Sequence, residues 1–202
     1  LGGNSLSPKG GTGSVTEQFS LARKTMRNLS EFIGLNYNIC ITHGNGPQVG
    51  DELLRMDLTS DTVPPLPLGI CVANTQGQIG YMVQQTLQNE LREKSVDREV
   101  VTLVTQVIVD KNDQSIDNPT KFIGPRYTKS EIEKLATKLG WSIKEQEPGS
   151  WRRVVPSPMP EFIMHGKSIK SLVDRGTIVI AFGGGGIPVF NNEYNKIEGL
   201  DA

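Results

Sequence analysis

The 202-residue chain is poor in the side chains that build metal centres and disulfide frameworks. It contains two cysteines and two histidines. Cys40 and Cys71 each stand in apolar sequence and lack metal-ligand spacing, so we expect small buried residues in a reducing compartment rather than a disulfide. Two histidines are too few for a histidine-rich metal centre, and no side chain stands out as a metal ligand.

Excess charge of one sign and long apolar runs are also missing. Lysine and arginine total 21 against 22 acidic residues, which gives a net charge of -1. This balance argues against nucleic acid or an acidic membrane as a partner. No apolar run approaches the roughly 20 residues that cross a bilayer. We therefore expect neither nucleic acid nor a membrane among the partners.

Glycine turns beside apolar segments are what the sequence does contain. In "ICITHGNGPQVG", residues 39–50, the apolar and β-branched run within Asn38–Thr42 predicts a buried strand. Gly44 and Gly46 then predict a tight loop, and Pro47 suits the first turn of a following helix. Such a loop aims several backbone N–H groups at one point, which favours an anion as ligand.

Three helices follow from apolar spacing. Phe19, Ala22, Met26, Leu29 and Ile33 recur every three or four positions and predict a helix that Gly34 closes. A second helix is marked by Ile79, Val83, Leu87 and Leu91 and is introduced by "VANTQGQIGY". A third is expected over Lys167–Arg175, ended by Gly176.

Continuous apolar runs between these helices predict strands covered on both faces. They are "REVVTLVTQVIV" and "TIVIAF". Helices alternating with buried strands predict an α/β fold, a three-layer α/β/α sandwich around a mostly parallel sheet. The turns Gly2–Gly3, Gly44–Gly46 and Gly183–Gly186 would then lie at the carboxyl edge of the strands, where such folds bind ligands.

Two of these turns raise specific alternatives. The four consecutive glycines 183–186 could be a flexible linker, but a buried strand leads directly into them, so close approach to a phosphoryl group is favoured. "GNGPQVG" resembles a dinucleotide fingerprint, yet "VPPLPLG" stands where an acidic residue is required. No glycine loop is followed by Lys-Ser or Lys-Thr, which excludes a P-loop. Asn4 and Asn45 each lie in a glycine turn, where an amide can bind a ligand.

Residues 111–160 have a different texture, rich in proline and charge. Thr128 and Glu131 form a capping box for a helix that ends at Gly140, so we expect a small subdomain that projects over the ligand edge. In it, Lys121 is flanked by proline and glycine. Most lysines are solvated surface charges, and the placement of Lys121 reduces the margin by which that interpretation is preferred.

The role of an arginine pair stays open, and one histidine is interpreted as structural. Arg152 and Arg153, beside Trp151, could stack and pair locally or could clamp an anion. His43, at a strand end, is interpreted as shaping its turn.

Seven motifs together carry a family likeness. "LGGN", "HGNGPQVG", "TQGQIGY", "VTQVIVD", "NPTKFIGPRYT", "WRRVVPSPMP" and "GGGGIPV", in this order, resemble the carbamate kinases of the amino-acid kinase family. The resemblance implies a cytoplasmic homodimer that transfers a phosphoryl group between ATP and carbamate, giving ADP and carbamoyl phosphate, with Mg²⁺ bound to the nucleotide. It also implies that the reaction often runs toward ATP at the end of arginine breakdown.

The motifs and the resemblance together give the candidate site residues. Lys121 is the catalytic candidate, and Arg152 and Arg153 are a possible anion clamp. Phosphoryl or nucleotide binding is assigned to Gly183, Gly184, Gly185 and Gly186. Substrate binding is assigned to Gly2, Gly3, Asn4, Gly44, Asn45, Gly46, Gln76 and Gly77.

The likeness stops before the nucleotide-binding lobe that family members carry at their carboxyl end. We therefore expect residues 1–202 to be the carbamate- and phosphoryl-binding lobe, the amino-terminal two-thirds of such an enzyme, and to be inactive alone. Two alternatives stay open. One is another amino-acid kinase, and the other is a truncated, non-catalytic module that dimerises or binds carbamoyl phosphate.

Overall fold

The structure, a computed structural model, describes residues 1–2, 6, 11, 13–33 and 37–202. These residues form two compact units, each assembled from separate stretches of the chain. The first unit comprises Leu1–Asn45, Ala73–Gln106 and Ile163–Gly186, and the second comprises Gly46–Val72, Val107–Phe162 and Ile187–Ala202.

Three helices belong wholly or mainly to the first unit. They are α1 (Val15–Ile33), α3 (Leu68–Glu93), whose first turn lies in the second unit, and α6 (Gly166–Asp174). All three were predicted, although Gly34, the expected end of α1, lies outside the described residues. Helix α3 starts earlier than predicted, so the "VANTQGQ" segment lies inside the helix instead of leading into it.

A parallel sheet forms the middle of the first unit. Its strands are β1 (Cys40–Ile41), β2 (Val100–Thr102) and β8 (Ile178–Ile180), in the order β1-β8-β2. Both neighbouring pairs run parallel, with Ile41 and Thr102 each in register with Ile180. The parallel sheet predicted from the apolar runs is confirmed.

Helices cover both faces of this sheet. On one face, Met26 of α1 and Ile79 of α3 pack with Ile178 and Ile180 in one buried apolar cluster. On the other face, Ile169 of α6 packs against Val179 and Ala181. Alternate residues of β8 therefore point to opposite cores, as expected of a strand buried on both sides. The predicted three-layer α/β/α arrangement is confirmed in this unit.

Three expectations about strands and cysteines were wrong in detail. Strand β1 has two residues rather than five, and Cys40 is exposed because β1 is the edge strand of its sheet. Both cysteines are free, as expected. The run "REVVTLVTQVIV" is two strands, β2 and β3 (Gln106–Val109), because Leu103–Thr105 break the ladder and the two halves pair in different sheets.

The second unit contains two further sheets. The remaining elements are α2 (Gly46–Thr59), α4 (Gln114–Asp117), β4 (Lys121–Tyr127), α5 (Lys129–Leu139), β5 (Ile143–Glu147), β6 (Ser150–Val155), β7 (Pro160–Ile163), β9 (Ile187–Asn191) and β10 (Ile197–Gly199). Strands β4, β6 and β5 form an antiparallel sheet in that order, and β10, β9, β3 and β7 form the other. Pro47 lies in the first turn of α2, as predicted.

The helix predicted inside residues 111–160 is confirmed as α5. Glu131 accepts hydrogen bonds from the Thr128 backbone N (2.8 Å) and hydroxyl (2.6 Å), which forms the capping box. Gly140 ends the helix with a left-handed backbone (φ 69°). With β4, β5 and β6, this segment makes a sheet with a helix against it. That the segment projects over a ligand edge stays a prediction.

The first turn of α3 is capped from the far end of the sequence. Asp201 Oδ1 accepts a hydrogen bond of 2.8 Å from the Leu68 backbone N. A carboxylate at a helix amino terminus satisfies a free N–H group and interacts favourably with the helix dipole. Asp201 Oδ2 also pairs with Arg153 at 2.7 Å, so one carboxylate joins a helix and a strand of the second unit.

Candidate functional site

The carboxyl edge of the parallel sheet gathers three loop segments of the first unit. The Leu1 nitrogen donates to Thr42 O at 2.6 Å, and Gly44 N donates to Leu1 O at 2.9 Å. Gly184 N donates to His43 O, also at 2.9 Å. The opening residues, the turn after β1 and the glycine run after β8 therefore lie together, as predicted for ligand-binding turns. Gly3 and Asn4 lie outside the described residues.

The first two glycines of the run are required by packing against protein. A Cβ on Gly183 would lie 2.5 Å from His43 Cε1 and 2.7 Å from Gln76 Cγ. A Cβ on Gly184, whose φ is +66°, would lie 2.4 Å from Asn45 Nδ2. Such distances are far inside van der Waals contact, so larger residues are excluded at both positions. The sequence suggested close approach to a phosphoryl group, and the structure adds this second cause.

The N–H groups of the run are largely used inside the protein. Gly183–Gly185 form a short 3-10 turn, in which Gly185 N donates to Phe182 O (3.0 Å) and Gly186 N to Gly183 O (3.2 Å). With the Gly184 bond to His43 O, three of the four expected donors have backbone acceptors. A phosphoryl group bound by those three N–H groups would have to displace these bonds.

His43 is a buried side chain that bonds within its own turn. The side chain is 5% exposed, and Nδ1 lies 3.1 Å from Gly44 O, which requires the proton on Nδ1 because a carbonyl only accepts. Burial lowers the pKa of the ring. The hydrogen bond to Gly44 raises the pKa by less, so the lowering prevails. Its carbonyl holds Gly184 and its ring packs on Gly183, which supports the interpretation that His43 shapes the turn.

Asn45 and Gln76 are amides with different roles. Asn45 is 9% exposed, and its Nδ2 donates to Thr75 Oγ1 at 3.0 Å. Gln76 is 1% exposed, and its amide contacts the backbone of Thr105 and Gly183. Both N–H groups of Gln76 are therefore given to carbonyls. Gln76 was assigned to substrate binding, but its amide has no N–H group left to donate to a substrate in this structure.

Three glycines of the candidate substrate site are open to solvent. Gly77, on α3, and Gly46, the first residue of α2, are exposed, and a Cβ on either would meet nothing within 4 Å. The same space surrounds Gly2. Substrate binding at these positions stays a prediction.

Lys121 lies in the second unit, at the first residue of β4, opposite Val155 of β6. Its side chain reaches solvent, but the protein atoms around the ammonium remove part of its hydration and lower its pKa. A partly desolvated cation interacts more strongly with an anion than a fully hydrated one. This environment suits the role predicted for Lys121 without testing it.

Both arginines make local hydrogen bonds within the second unit. Arg152 Nε and Nη2 donate to Gly124 O at 3.0 and 2.7 Å, and Nη1 donates to Gln146 Oε1. Arg153 pairs with Asp201 and stacks on Trp141, with its guanidinium carbon 5.1 Å from the ring centre. These contacts are of the local stacking and pairing kind, and the anion clamp stays a prediction. The aromatic partner is Trp141, whereas Lys129 covers Trp151.

A partly buried polar cluster in the second unit was missed by sequence reasoning. Asp57 Oδ2 accepts a hydrogen bond from the Tyr127 hydroxyl, and burial raises the pKa of Asp57. Asp57, Arg153, Asp201 and Trp141 line a cavity of about 220 Å³. The members are distant in sequence, and no motif marks them.

In the described ranges, no group of three or more His, Cys, Asp or Glu side chains could hold a metal ion. Nor does any helix among the described residues have the length and apolarity to cross a membrane.

Comparison with known proteins bears on the whole chain. No protein-family model matches it. Its whole length aligns with the carbamate kinase of Pyrococcus furiosus at 49% identity over 204 residues, which is 65% of that protein. The structure matches a solved protein of Aeropyrum pernix K1 with a TM-score of 0.95 at 35% identity. It matches the carbamate kinase of Giardia lamblia bound to AMP-PNP with a TM-score of 0.90 at 36% identity. All of this chain is covered in both cases, with 65% and 64% of those chains.

The shared fold and the similarity along the whole chain make it homologous to the carbamate kinases, which confirms the resemblance carried by the seven motifs. The chain spans about 65% of the length of these relatives, a share that fits the expected two-thirds.

Proposed function

We propose that this protein is a carbamate kinase. In one direction an oxygen of carbamate attacks the γ-phosphorus of ATP, and the bond from that phosphorus to the ADP oxygen breaks. In the other direction ADP takes the phosphoryl group from carbamoyl phosphate, and we propose that this ATP-forming direction serves arginine breakdown. The observation that carries the proposal is 49% identity to a carbamate kinase along the entire chain.

The geometry of the first unit supports an anionic substrate. Phosphoryl transfer needs mainly positioning and neutralisation of charge. The turn His43–Asn45 lies at the carboxyl edge of a parallel sheet, where ligands of such folds bind, and leads directly into α2 at Gly46. The amino terminus of a helix favours anions. Carbamate and the transferred phosphoryl group are both small anions.

The remaining parts of the proposal concern charge and assembly. Lys121 is proposed to neutralise charge on the transferring phosphoryl group, and Mg²⁺ is proposed to enter bound to the nucleotide phosphates. From the family resemblance we also propose a cytoplasmic homodimer.

A substrate panel on the full-length protein tests the activity. ADP and carbamoyl phosphate with Mg²⁺ should give ATP, measured with a coupled luciferase assay. Acetylglutamate, aspartate and uridylate should give no ADP from ATP under the same conditions. Faster turnover of one of these three would replace the proposal by another amino-acid kinase. Absence of turnover with all of them, together with binding of carbamoyl phosphate, would favour a non-catalytic module.

A further inference from the structure

Two glutamines of helix α3 hold the two ends of strand β2. Gln88 Nε2 donates to Arg98 O at 3.1 Å, and its Oε1 accepts from Val100 N at 3.2 Å. Gln76 makes the same pair of bonds with one residue, Thr105, donating to its O at 3.3 Å and accepting from its N at 2.8 Å. Twelve helical residues span about 18 Å, so the two amides act at opposite ends of the strand.

Only Gln76 reaches a third segment. The second N–H group of its amide donates to Gly183 O at 2.9 Å. One amide that is 1% exposed therefore joins helix α3, the chain after β2 and the glycine run after β8. Hydrogen bonds are strong in such an environment, and a buried carbonyl that loses its donor is destabilising.

Thr105 extends this connection to the residue before the run. Its hydroxyl accepts from Phe182 N at 3.2 Å and donates to Leu103 O at 3.0 Å. Phe182 has a left-handed backbone (φ 58°), which is unfavourable for a residue with a Cβ. Bonds on both sides of Phe182 and Gly183 therefore fix the entry of the glycine run.

We propose that Gln76 is a positioning residue, which sets the position of Gly183–Gly186 against the His43–Asn45 turn without contacting substrate. The proposal rests on the proposed phosphoryl transfer at these turns. Displacement of a catalytic group by about 1 Å can lower turnover roughly 10²-fold. Loss of the Gln76 amide should therefore act on turnover more than on substrate affinity.

Gln76→Met and Gln88→Met in the full-length protein test this role. Each change keeps an unbranched side chain of similar size and removes one amide that bonds strand ends. We expect both variants to lower the melting temperature. Gln76→Met should also lower kcat for ATP formation by roughly tenfold or more, with KM for carbamoyl phosphate changed less than about threefold. Gln88→Met should keep the kcat of the wild type, and assays are run well below both melting temperatures.

Two outcomes would overturn the proposal. Equal kcat in both variants would show that Gln76 supplies stability alone. A large rise in KM for Gln76→Met with unchanged kcat would show that the amide binds substrate directly. If the wild type has no activity, the proposed function has failed, and hydrogen exchange still decides the positioning role. Exchange in the peptide containing Gly183–Gly186 should be faster in Gln76→Met than in Gln88→Met, and equal rates would refute it.

Gln76→Asn is made alongside Gln76→Met, and it takes the place of Gln76→Met in the comparison with Gln88→Met if Gln76→Met does not fold. That variant keeps an amide but shortens it by one methylene, so the bond to Gly183 O is strained or lost. Kinetic rescue by Gln76→Asn relative to Gln76→Met would support a requirement for the donor. Identical defects in turnover and in exchange would attribute the effect to packing and refute the positioning role of the amide.

Discussion

Among single residues, two lysines of the second unit contrast in what surrounds them. Lys129 lies over the Trp151 ring at 5.4 Å and 3.9 Å from Glu133. Lys121 has a pKa lowered by the protein around it. Its charge is therefore partly desolvated at a position that the family motif marks.

Replacement of Lys121 by alanine should slow the chemical step. We expect kcat of the full-length enzyme to fall by roughly 10²-fold, because a charge that stabilises the transferring phosphoryl group is lost. Steady-state assays of ATP formation measure the effect. Lys129→Ala, which removes a charge of the same kind, should retain normal turnover. A raised KM with unchanged kcat in Lys121→Ala would limit the lysine to binding.

His43 should make the stability of the fold depend on pH. Burial lowers its pKa in the folded protein below the ordinary value of 6.5, so the unfolded chain takes up the proton first as pH falls. The contribution of neutral His43 to the free energy of unfolding should therefore be fully present above about pH 7. The free energy of unfolding should decrease as pH drops through 6.5. Urea unfolding at a series of pH values measures this decrease.

The two histidines provide a matched comparison for that dependence. His43→Gln should remove the part of the pH dependence near 6.5, whereas His165→Gln, at the start of α6, should retain it. The difference between the two variants cancels the background from carboxyl groups. If both curves coincide, protonation of His43 is not linked to folding.

The residues of the site differ in how far their roles could be predicted. Turn residues such as Gly44, Asn45 and Gly183 could be found because glycine and asparagine after a strand have a local meaning. The role of Gln76 could not, because Thr105 and Gly183 lie 29 and 107 positions away. The partners of Arg153 were missed for the same reason, since Asp201 is 48 residues distant.

At the scale of elements, helix α3 shows why a boundary can escape prediction. The β-branched and polar residues of "VANTQGQ" have low intrinsic preference for a helix, which tertiary contacts override. Cys71, Val72, Thr75 and Gln76 are buried, and the cap at Leu68 comes from Asp201, 133 residues later. Strands β2 and β3 were merged for a related reason, because an apolar run does not reveal which sheet each half joins.

Close packing of α3 on β2 depends on Gly80. A Cβ at this position would lie 2.1 Å from Thr102 Cγ2. The hydroxyl group of Thr102 is buried and has no hydrogen-bond partner among the described residues. Gly80→Ala should therefore destabilise the fold by roughly 1–3 kcal/mol, as overpacking does. Gly77→Ala, on the same helix with open space, should instead stabilise it by about 0.5–1 kcal/mol.

A second substitution identifies the contact responsible. Thr102→Ala removes the atom nearest to the added methyl group, so the double variant with Gly80→Ala should be more stable than the sum of the single effects predicts. Thermal or urea unfolding of the four proteins gives the coupling. Additive effects would show that the two residues do not compete for the same space.

At the scale of the whole molecule, the sequence similarity concerns about 65% of the length of a carbamate kinase. We expect a protein of residues 1–202 to show neither phosphoryl transfer nor ATP binding, because the resemblance places the nucleotide-binding lobe in the remainder. Isothermal calorimetry with ATP and the luciferase assay measure both properties, with the full-length protein as control. Turnover by residues 1–202 would require a nucleotide site within them.

The order β1-β8-β2 has a consequence for how the protein is made. The strand in the middle, Ile178–Ile180, is the last of the three to leave the ribosome. At about 5–20 residues per second, roughly 4–15 seconds separate Thr102 from Ile178. During that interval Ile41 and Val100 lack the strand that lies between them. The apolar faces of α1 and α3 lack the strand on which both pack. A nascent chain in this state is a natural client for chaperones that shield exposed hydrophobic surface.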